Sequence, residues 1–184
     1  MENSFHENRS VGLVLTFIGG MVDSYTYIRY EAFASAQTGN LILAIIQAYE
    51  RQWNMVGKKF FFMGILLAKF LIDYFKRKEK HFWRLFLLYF EAIVFFVISL
   101  QVLQPHPAVI TIIIAFTAAI QWVSFDKING LAYTNLFTTG NLKGVATNLY
   151  DYLSTKDQAA KTGFIHFLLV VLAFITGAIL SVFS

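Results

Sequence analysis

Cysteine is absent from this chain of 184 residues, proline occurs only twice, and only 14% of the residues are charged. The absence of cysteine excludes a disulfide scaffold, thiol chemistry and thiolate metal sites. Hydrophobic residues make up 57% of the chain, against about 45–50% in soluble domains. A soluble chain of this size has too little interior to bury so many apolar side chains. The composition therefore predicts an integral membrane protein whose main partner is the lipid bilayer.

The net charge of +4 could attract nucleic acid. In a membrane protein, however, the excess basic residues belong in the loops between spans, so we predict no nucleic-acid partner. Four scattered histidines offer no metal-ligand spacing. The sequence also contains no nucleophile motif, Walker loop or dinucleotide fingerprint. We therefore expect no bound metal, no cofactor and no enzymatic activity.

Apolar stretches predict an all-helical bundle with about five full spans, since each crossing takes about 20 residues. The predicted spans are 11–28, 57–75, 82–103, 107–125 and 164–184. No small-residue cleavage site follows the first span, so we expect it to be retained as a helix. Lys69 and Asp73 stand four positions apart in the second span and are expected to form an ion pair.

An internal repeat links two shorter helical segments, 38–49 and 139–153. Placing Thr38 on Thr139 aligns two Thr-Gly-Asn-Leu strings and then two Tyr-acid pairs, without a gap. Chance similarity between compositionally poor sequences is the alternative. We predict a single membrane domain, 1–184, in which repeat one covers about 11–104 and repeat two about 107–184, the second lacking its last helix.

The distribution of Lys and Arg indicates how the two short segments lie, because cytoplasmic loops are enriched in these residues. If both segments dip into the membrane and return, ten basic residues lie inside and four outside; if both cross, the counts are seven and six. Re-entrant or broken helices are therefore favoured. Three full spans then separate the repeats, which makes them inverted and places the N-terminus in the cytoplasm. A parallel pair with both short helices spanning is the alternative.

Asp23 is the main candidate for an ion site, since a carboxylate inside a membrane span is costly unless it has a role. It follows Gly19 and Gly20, which permit a helix kink or a close approach between helices. The alternative role for Asp23 is a structural pair with Arg29 or with a neighbouring hydroxyl.

Each Thr-Gly-Asn element predicts a helix start, with the threonine as N-cap and the first-turn amides unpaired inside the helix. Two such starts entering from opposite faces would present partial positive charge to an anionic or zwitterionic group. Plain capping without a ligand is the alternative. Gln121 aligns with Asp23 if a three-residue gap is allowed. The candidate pathway residues are therefore Asp23, Thr38, Gly39, Asn40, Glu91, Gln121, Thr139, Gly140 and Asn141.

The strings GGMVDSYTYI and TGNL in repeat one, with AIQ and NGLAYTNLFTTGNL in repeat two, resemble the YoaK family of bacterial inner-membrane proteins. The resemblance covers nearly the whole chain and includes the glycine pair, Asp23 and both Thr-Gly-Asn elements. It implies a multi-pass protein of about six spans that is often suspected of transport, without an established substrate. Family members usually continue into a further span, whereas this chain stops at Ser184.

These patterns favour a small-solute transporter or channel-like protein. Asp23 would bind a proton or coupling cation, and the helix starts would hold an anionic or zwitterionic group of the solute. A non-transporting scaffold or lipid-interacting module is the alternative. Either protein could act as a homo-oligomer.

Overall fold

The computed structural model describes residues 5–52, 69–70, 73–74, 83–100 and 106–183. These residues form six α-helices, a short 3₁₀ helix at Phe5–Glu7 and two strands of two residues each. The helices are α1 (Arg9–Tyr30), α2 (Gln37–Tyr49), α3 (Trp83–Ser99), α4 (Pro107–Ser124), α5 (Thr139–Thr155) and α6 (Gln158–Val182).

The chain divides into two compact units, which are described separately. The central unit is Val22–Ser124, and the terminal unit combines the described residues up to Met21 with those from Phe125 onward. Helix α1 therefore contributes its first part to the terminal unit and its last part to the central unit.

Helices α1 and α6 make a very close contact in the terminal unit. A Cβ atom added at Gly20 would collide with the carbonyl oxygen of Phe174, and one added at Gly177 would collide with the carbonyl oxygen of Phe17. Such reciprocal glycine contacts allow two helix backbones to touch, which is how helices associate where no hydrophobic effect drives them together. The sequence allowed a kink or a close approach at the glycine pair, and the structure shows close approach along an uninterrupted α1.

A β-hairpin follows α4 and is the exception to the predicted all-helical architecture. Strands β1 (Lys127–Ile128) and β2 (Leu131–Ala132) pair antiparallel around Asn129 and Gly130. Both turn residues have positive φ, 49° and 82°, as a two-residue turn of type I′ requires. Glu7 holds this turn, since its carbonyl accepts from Asn129 N at 2.8 Å and its carboxylate from Gly130 N at 3.1 Å.

The hairpin gives a first testable expectation. Gly130→Ala places a Cβ atom where φ is positive, which costs about 1–2 kcal/mol. The thermal unfolding midpoint of the purified protein should fall accordingly, whereas Asn129→Gly, which tolerates the same φ, should leave it nearly unchanged. Equal midpoints for Gly130→Ala and the wild type would show that the turn does not adopt this conformation.

Helices α3 and α4 pack together in the central unit. Trp83 and Leu87 lie against Ala119 and Ile120 in one buried apolar cluster. Arg84 supports this contact, because its Nε donates to the Ser124 carbonyl at 2.9 Å.

The hydroxyl side chains of α4 form hydrogen bonds within their own helix. Thr111, Thr117 and Ser124 each donate to the carbonyl four residues earlier, over 2.8, 2.8 and 2.6 Å. Buried hydroxyls are satisfied in this way without partners from other helices, so their presence does not break this apolar helix.

Two described helices, α1 and α6, are long and apolar enough to cross a membrane. Large apolar side chains on α6, such as Leu172, Ile175 and Ile179, are exposed. A helix at the core of a soluble protein would have these side chains covered, so this surface suits contact with lipid. Helix α2 is apolar but has only 13 residues, which extend about 20 Å, less than a hydrocarbon core of about 30 Å.

The predicted spans 11–28 and 107–125 agree with α1 and α4 to within two residues at each end. The predicted start of the last span, residue 164, is too late. The Asp157 carboxylate accepts from Ala159 N at 3.0 Å and caps α6, so the helix begins at Gln158. The predicted span 82–103 corresponds to helix α3, which begins one residue later than predicted, at Trp83, and ends earlier, at Ser99. Most of the span 57–75 lies outside the described residues, but the Lys69–Asp73 ion pair is confirmed at 3.3 Å.

Candidate functional site

The first Thr-Gly-Asn element, in the central unit, is organised by Asn40. Its side chain is almost fully buried. Oδ1 accepts from Phe33 N at 2.8 Å and Nδ2 donates to the Phe33 carbonyl at 2.6 Å. Both polar atoms of the amide are therefore engaged by the loop that precedes α2. Asn40 fixes how the chain enters this helix.

The second Thr-Gly-Asn element, in the terminal unit, has the same arrangement. Asn141 is equally buried. Its Oδ1 accepts from Thr134 N at 3.2 Å and its Nδ2 donates to the Thr134 carbonyl at 2.8 Å. In both units the bonded residue lies seven positions before the asparagine. The repeat seen in the sequence thus extends to a shared pair of side-chain hydrogen bonds.

The prediction that the motif threonines act as N-caps is wrong. The N-cap residues are Ala36 in α2 and Thr138 in α5, and neither makes a side-chain capping bond. The helices begin at or before the motif, because the asparagine draws the preceding loop against the first turn. Thr38 and Thr139 consequently lie inside the first turn, and both are exposed.

Asp23 binds the loop before α2 with both carboxylate oxygens. Its Oδ1 accepts from Ser35 N at 2.9 Å and its Oδ2 from the Ser35 hydroxyl at 2.6 Å. The carboxylate is only 6% exposed. Among the residues that the structure describes, no ion pair includes Asp23. Its hydroxyl partner thus lies 12 positions along the chain, beyond the neighbours that the sequence suggested.

Three consecutive backbone N–H groups of this loop each donate a hydrogen bond to a buried side-chain oxygen. Phe33 N donates to Asn40, Ala34 N to the Thr26 hydroxyl at 3.1 Å, and Ser35 N to Asp23. Asp23 in α1 and Asn40 in α2 therefore bind the same short loop, residues 33–35, which we call the acid-held loop. Sequence reasoning missed Thr26 and Ser35, because no local pattern marks a partner that far away in the chain.

The corresponding loop of the terminal unit is held by a hydrogen bond from a neutral side chain, not by a carboxylate. Asn135 is fully buried, and its Nδ2 donates to the carbonyl of Phe125, just after α4, at 2.9 Å. Here the loop supplies the side chain, and the residue that follows α4 supplies the backbone oxygen. Asn135 was not among the residues predicted from the sequence, although the repeat alignment places it opposite Ala34 and could have indicated it.

Two further candidates lie inside helices of the central unit. Gln121 is buried in α4. Without a gap, the repeat alignment pairs Asp23 with Ser124, which lies one helical turn after Gln121. The Ser124 hydroxyl donates to the Ile120 carbonyl in its own helix. Glu91 is buried in α3, and its Oε1 has no hydrogen-bond partner among the described residues.

Within the described ranges, no group of three His, Asp or Glu side chains could hold a metal ion.

The composition and the two span-length helices define a helical membrane protein. The family described as "Protein of unknown function (DUF1275)" matches residues 11–184, and the chain belongs to that family. The resemblance to the YoaK proteins is thereby confirmed, since they belong to the same family. No curated protein and no solved structure matches the chain.

Proposed function

We propose that this protein is a multi-pass transporter or channel-like protein of the bacterial inner membrane that moves a small solute, with Asp23 as the site of a coupling proton or cation. The observation that carries the proposal is the environment of Asp23. It is a buried carboxylate within a helix of membrane-spanning length, held by Ser35 rather than by a basic side chain. A carboxylate so placed is costly in lipid, and such residues mark ion and proton pathways in transporters.

The proposed topology is a pair of inverted repeats, with the N-terminus in the cytoplasm. The matched hydrogen bonds of Asn40 and Asn141 support a true duplication. The distribution of basic residues supports the inverted orientation, with α2 and α5 entering the membrane and returning.

Loss or gain of a proton at Asp23 provides a mechanism for coupling. The ionised carboxylate accepts two hydrogen bonds from Ser35, one from the backbone and one from the hydroxyl. A protonated carboxyl retains less acceptor capacity and adds a donor of its own, so it holds the acid-held loop less well. The charge state of one residue thereby biases the position of the loop that leads into α2.

Asp23→Asn tests this mechanism in proteoliposomes. The variant keeps an acceptor for Ser35 but cannot ionise, so proton-coupled uptake should be lost. The solute for the assay is first found by thermal stabilisation with a metabolite panel, since a ligand of the folded state raises its apparent stability. Asp126→Asn is the control, because Asp126 is an exposed acid. Uptake by Asp23→Asn at the wild-type level would remove Asp23 from the mechanism.

A non-transporting scaffold or lipid-interacting module is the second candidate. The observation that favours it is that Asn40 and Asn141 use both amide atoms on the backbone, as purely structural residues do. Whether water reaches the starts of α2 and α5 distinguishes the two candidate functions. Single cysteines introduced at positions 38 and 139 of this cysteine-free chain should react with a membrane-impermeant thiol reagent if a hydrated path reaches the helix starts. They should stay unreactive in a sealed module.

A further inference from the structure

Glu91 is a buried acid of the central unit that the proposed mechanism does not use. The buried residues of α3 are Trp83, Leu87, Glu91 and Ile98. Their spacing follows the helical period, so they share one face of the helix. Glu91 is therefore the one polar member of a face that is otherwise apolar.

Helix α4 packs on this face of α3 beside Glu91. Trp83 and Leu87, in the two turns that precede the acid, lie in one apolar cluster with Ala119 and Ile120. Only 7% of the Glu91 surface is exposed. The acid thus continues an apolar contact between two helices.

The neighbouring outer surface of α3 is apolar as well. Tyr89, Phe90 and Ile93 are exposed there, which suits contact with lipid. A reagent that dissolves in lipid can therefore approach Glu91 more readily than one that dissolves in water.

The described residues supply no partner for the buried oxygen of this carboxyl. Oε1 of Glu91 makes no hydrogen bond with them, and none of their ion pairs includes Glu91. Helix α4 has no charged residue, and each of its hydroxyls donates its single proton within the helix. The other charged residue of α3 is Arg84, seven positions earlier, whose Nε donates to the Ser124 carbonyl.

Asp23 and Glu91, both buried in the central unit, thus differ in their surroundings. The Asp23 carboxylate accepts two hydrogen bonds from Ser35, whereas Oε1 of Glu91 accepts none from the described residues. An ionised carboxylate without a partner is very costly in an apolar environment, and such a group takes up a proton and becomes neutral.

We propose that Glu91 is a second proton-binding site, which holds its proton between the packed helices α3 and α4 and becomes a carboxylate when it releases that proton to water. A leucine would continue the apolar face without burying a polar group, so the acid lowers stability at this position. Residues that do so are typical of functional sites. Proton binding at Glu91 requires neither Asp23 nor the transport function proposed above.

Two carbodiimides test the site in the full-length protein reconstituted in liposomes. Dicyclohexylcarbodiimide dissolves in lipid and adds to protonated carboxyls. The carboxyl proton passes to a carbodiimide nitrogen, a carboxyl oxygen bonds to the central carbon, and nothing is released. The product rearranges to a stable acylurea, which peptide mass spectrometry should locate on Glu91. A water-soluble carbodiimide should modify the exposed Asp126 and spare Glu91.

Labelling of Glu91 by dicyclohexylcarbodiimide should decrease as the pH is raised from neutral into the alkaline range, because the carboxylate lacks the proton that the addition requires. The proposal is wrong if Glu91 forms no adduct, if its labelling does not change with pH, or if the water-soluble reagent modifies it as fast as Asp126 does. Asp23→Asn should label at Glu91 as the wild type does. Loss of the adduct in that variant would show that Glu91 is not a separate site.

Thermal unfolding distinguishes a proton-binding site from an acid that holds the fold together. Glu91→Gln exchanges a neutral carboxyl for a neutral amide of the same size, so its midpoint should stay close to that of the wild type. The midpoint of Glu91→Leu should equal or exceed it. Leu87→Gln is the matched control one turn earlier, and its midpoint should fall because it buries a polar group in the apolar cluster.

Two results of this comparison would overturn the proposal. If Glu91→Leu is destabilised as much as Leu87→Gln, a partner holds the carboxylate and the acid is structural. If Leu87→Gln unfolds at the wild-type midpoint, this face of α3 is not buried and Glu91 has no apolar surroundings.

Discussion

Gly177→Val is expected to destabilise the protein by about 3 kcal/mol, enough to remove much of the stability of a small domain. The added Cβ atom would collide with the Phe17 carbonyl oxygen, which belongs to a helix backbone and cannot rotate away as a side chain can. Helices α1 and α6 would have to separate, and the reciprocal contact of Gly20 with Phe174 would be lost with them. The measurement is the fraction of monodisperse protein that survives heating, followed by size-exclusion chromatography.

Thr176→Val is the matched control for this prediction. It introduces the same β-branched side chain one position earlier on α6, where Thr176 is exposed and a substitution usually changes stability by less than about 0.5 kcal/mol. Gly20→Val should reproduce the loss seen with Gly177→Val, because it disrupts the same contact from the other helix. If Gly177→Val survives heating as well as Thr176→Val, the two backbones do not approach this closely.

The helices and the repeat were accessible from the sequence because both rest on local patterns. Apolar runs located α1 and α4 to within two residues. The doubled Thr-Gly-Asn string located two helix starts whose asparagines make the same hydrogen bonds. The hairpin also had a local signal that was not used, since an Asn-Gly pair is typical of a type I′ turn.

The partners of the candidate residues were not accessible, because they depend on contacts between distant parts of the chain. Nothing near Asp23 indicates that its carboxylate reaches Ser35, 12 residues away. Nothing around Gly177 indicates that it lies against Phe17, since these residues are far apart in sequence and meet only when α1 and α6 pack. A sequence identifies costly or permissive residues, and the packing decides what they touch.

Asn40→Ala and Asn141→Ala are each expected to destabilise the protein by about 2–3 kcal/mol. Each substitution removes two hydrogen bonds, over 2.8 and 2.6 Å at Asn40 and over 3.2 and 2.8 Å at Asn141. It also leaves one backbone N–H and one carbonyl without their partner, and an unsatisfied buried polar group costs about 1–3 kcal/mol. The thermal unfolding midpoints of the two variants measure this loss.

Aspartate at the same positions separates the two hydrogen bonds of each asparagine. Asn40→Asp keeps the acceptor for Phe33 N but turns a second oxygen toward the Phe33 carbonyl, where Asn40 now donates. Repulsion there should make Asn40→Asp at least as destabilising as Asn40→Ala, and Asn141→Asp should behave alike toward Thr134. Thr147→Ala is the control, because its exposed hydroxyl bonds only its own helix. If one asparagine proves dispensable while the other does not, the shared geometry is not a shared structural requirement, and the two loops must be held by different means.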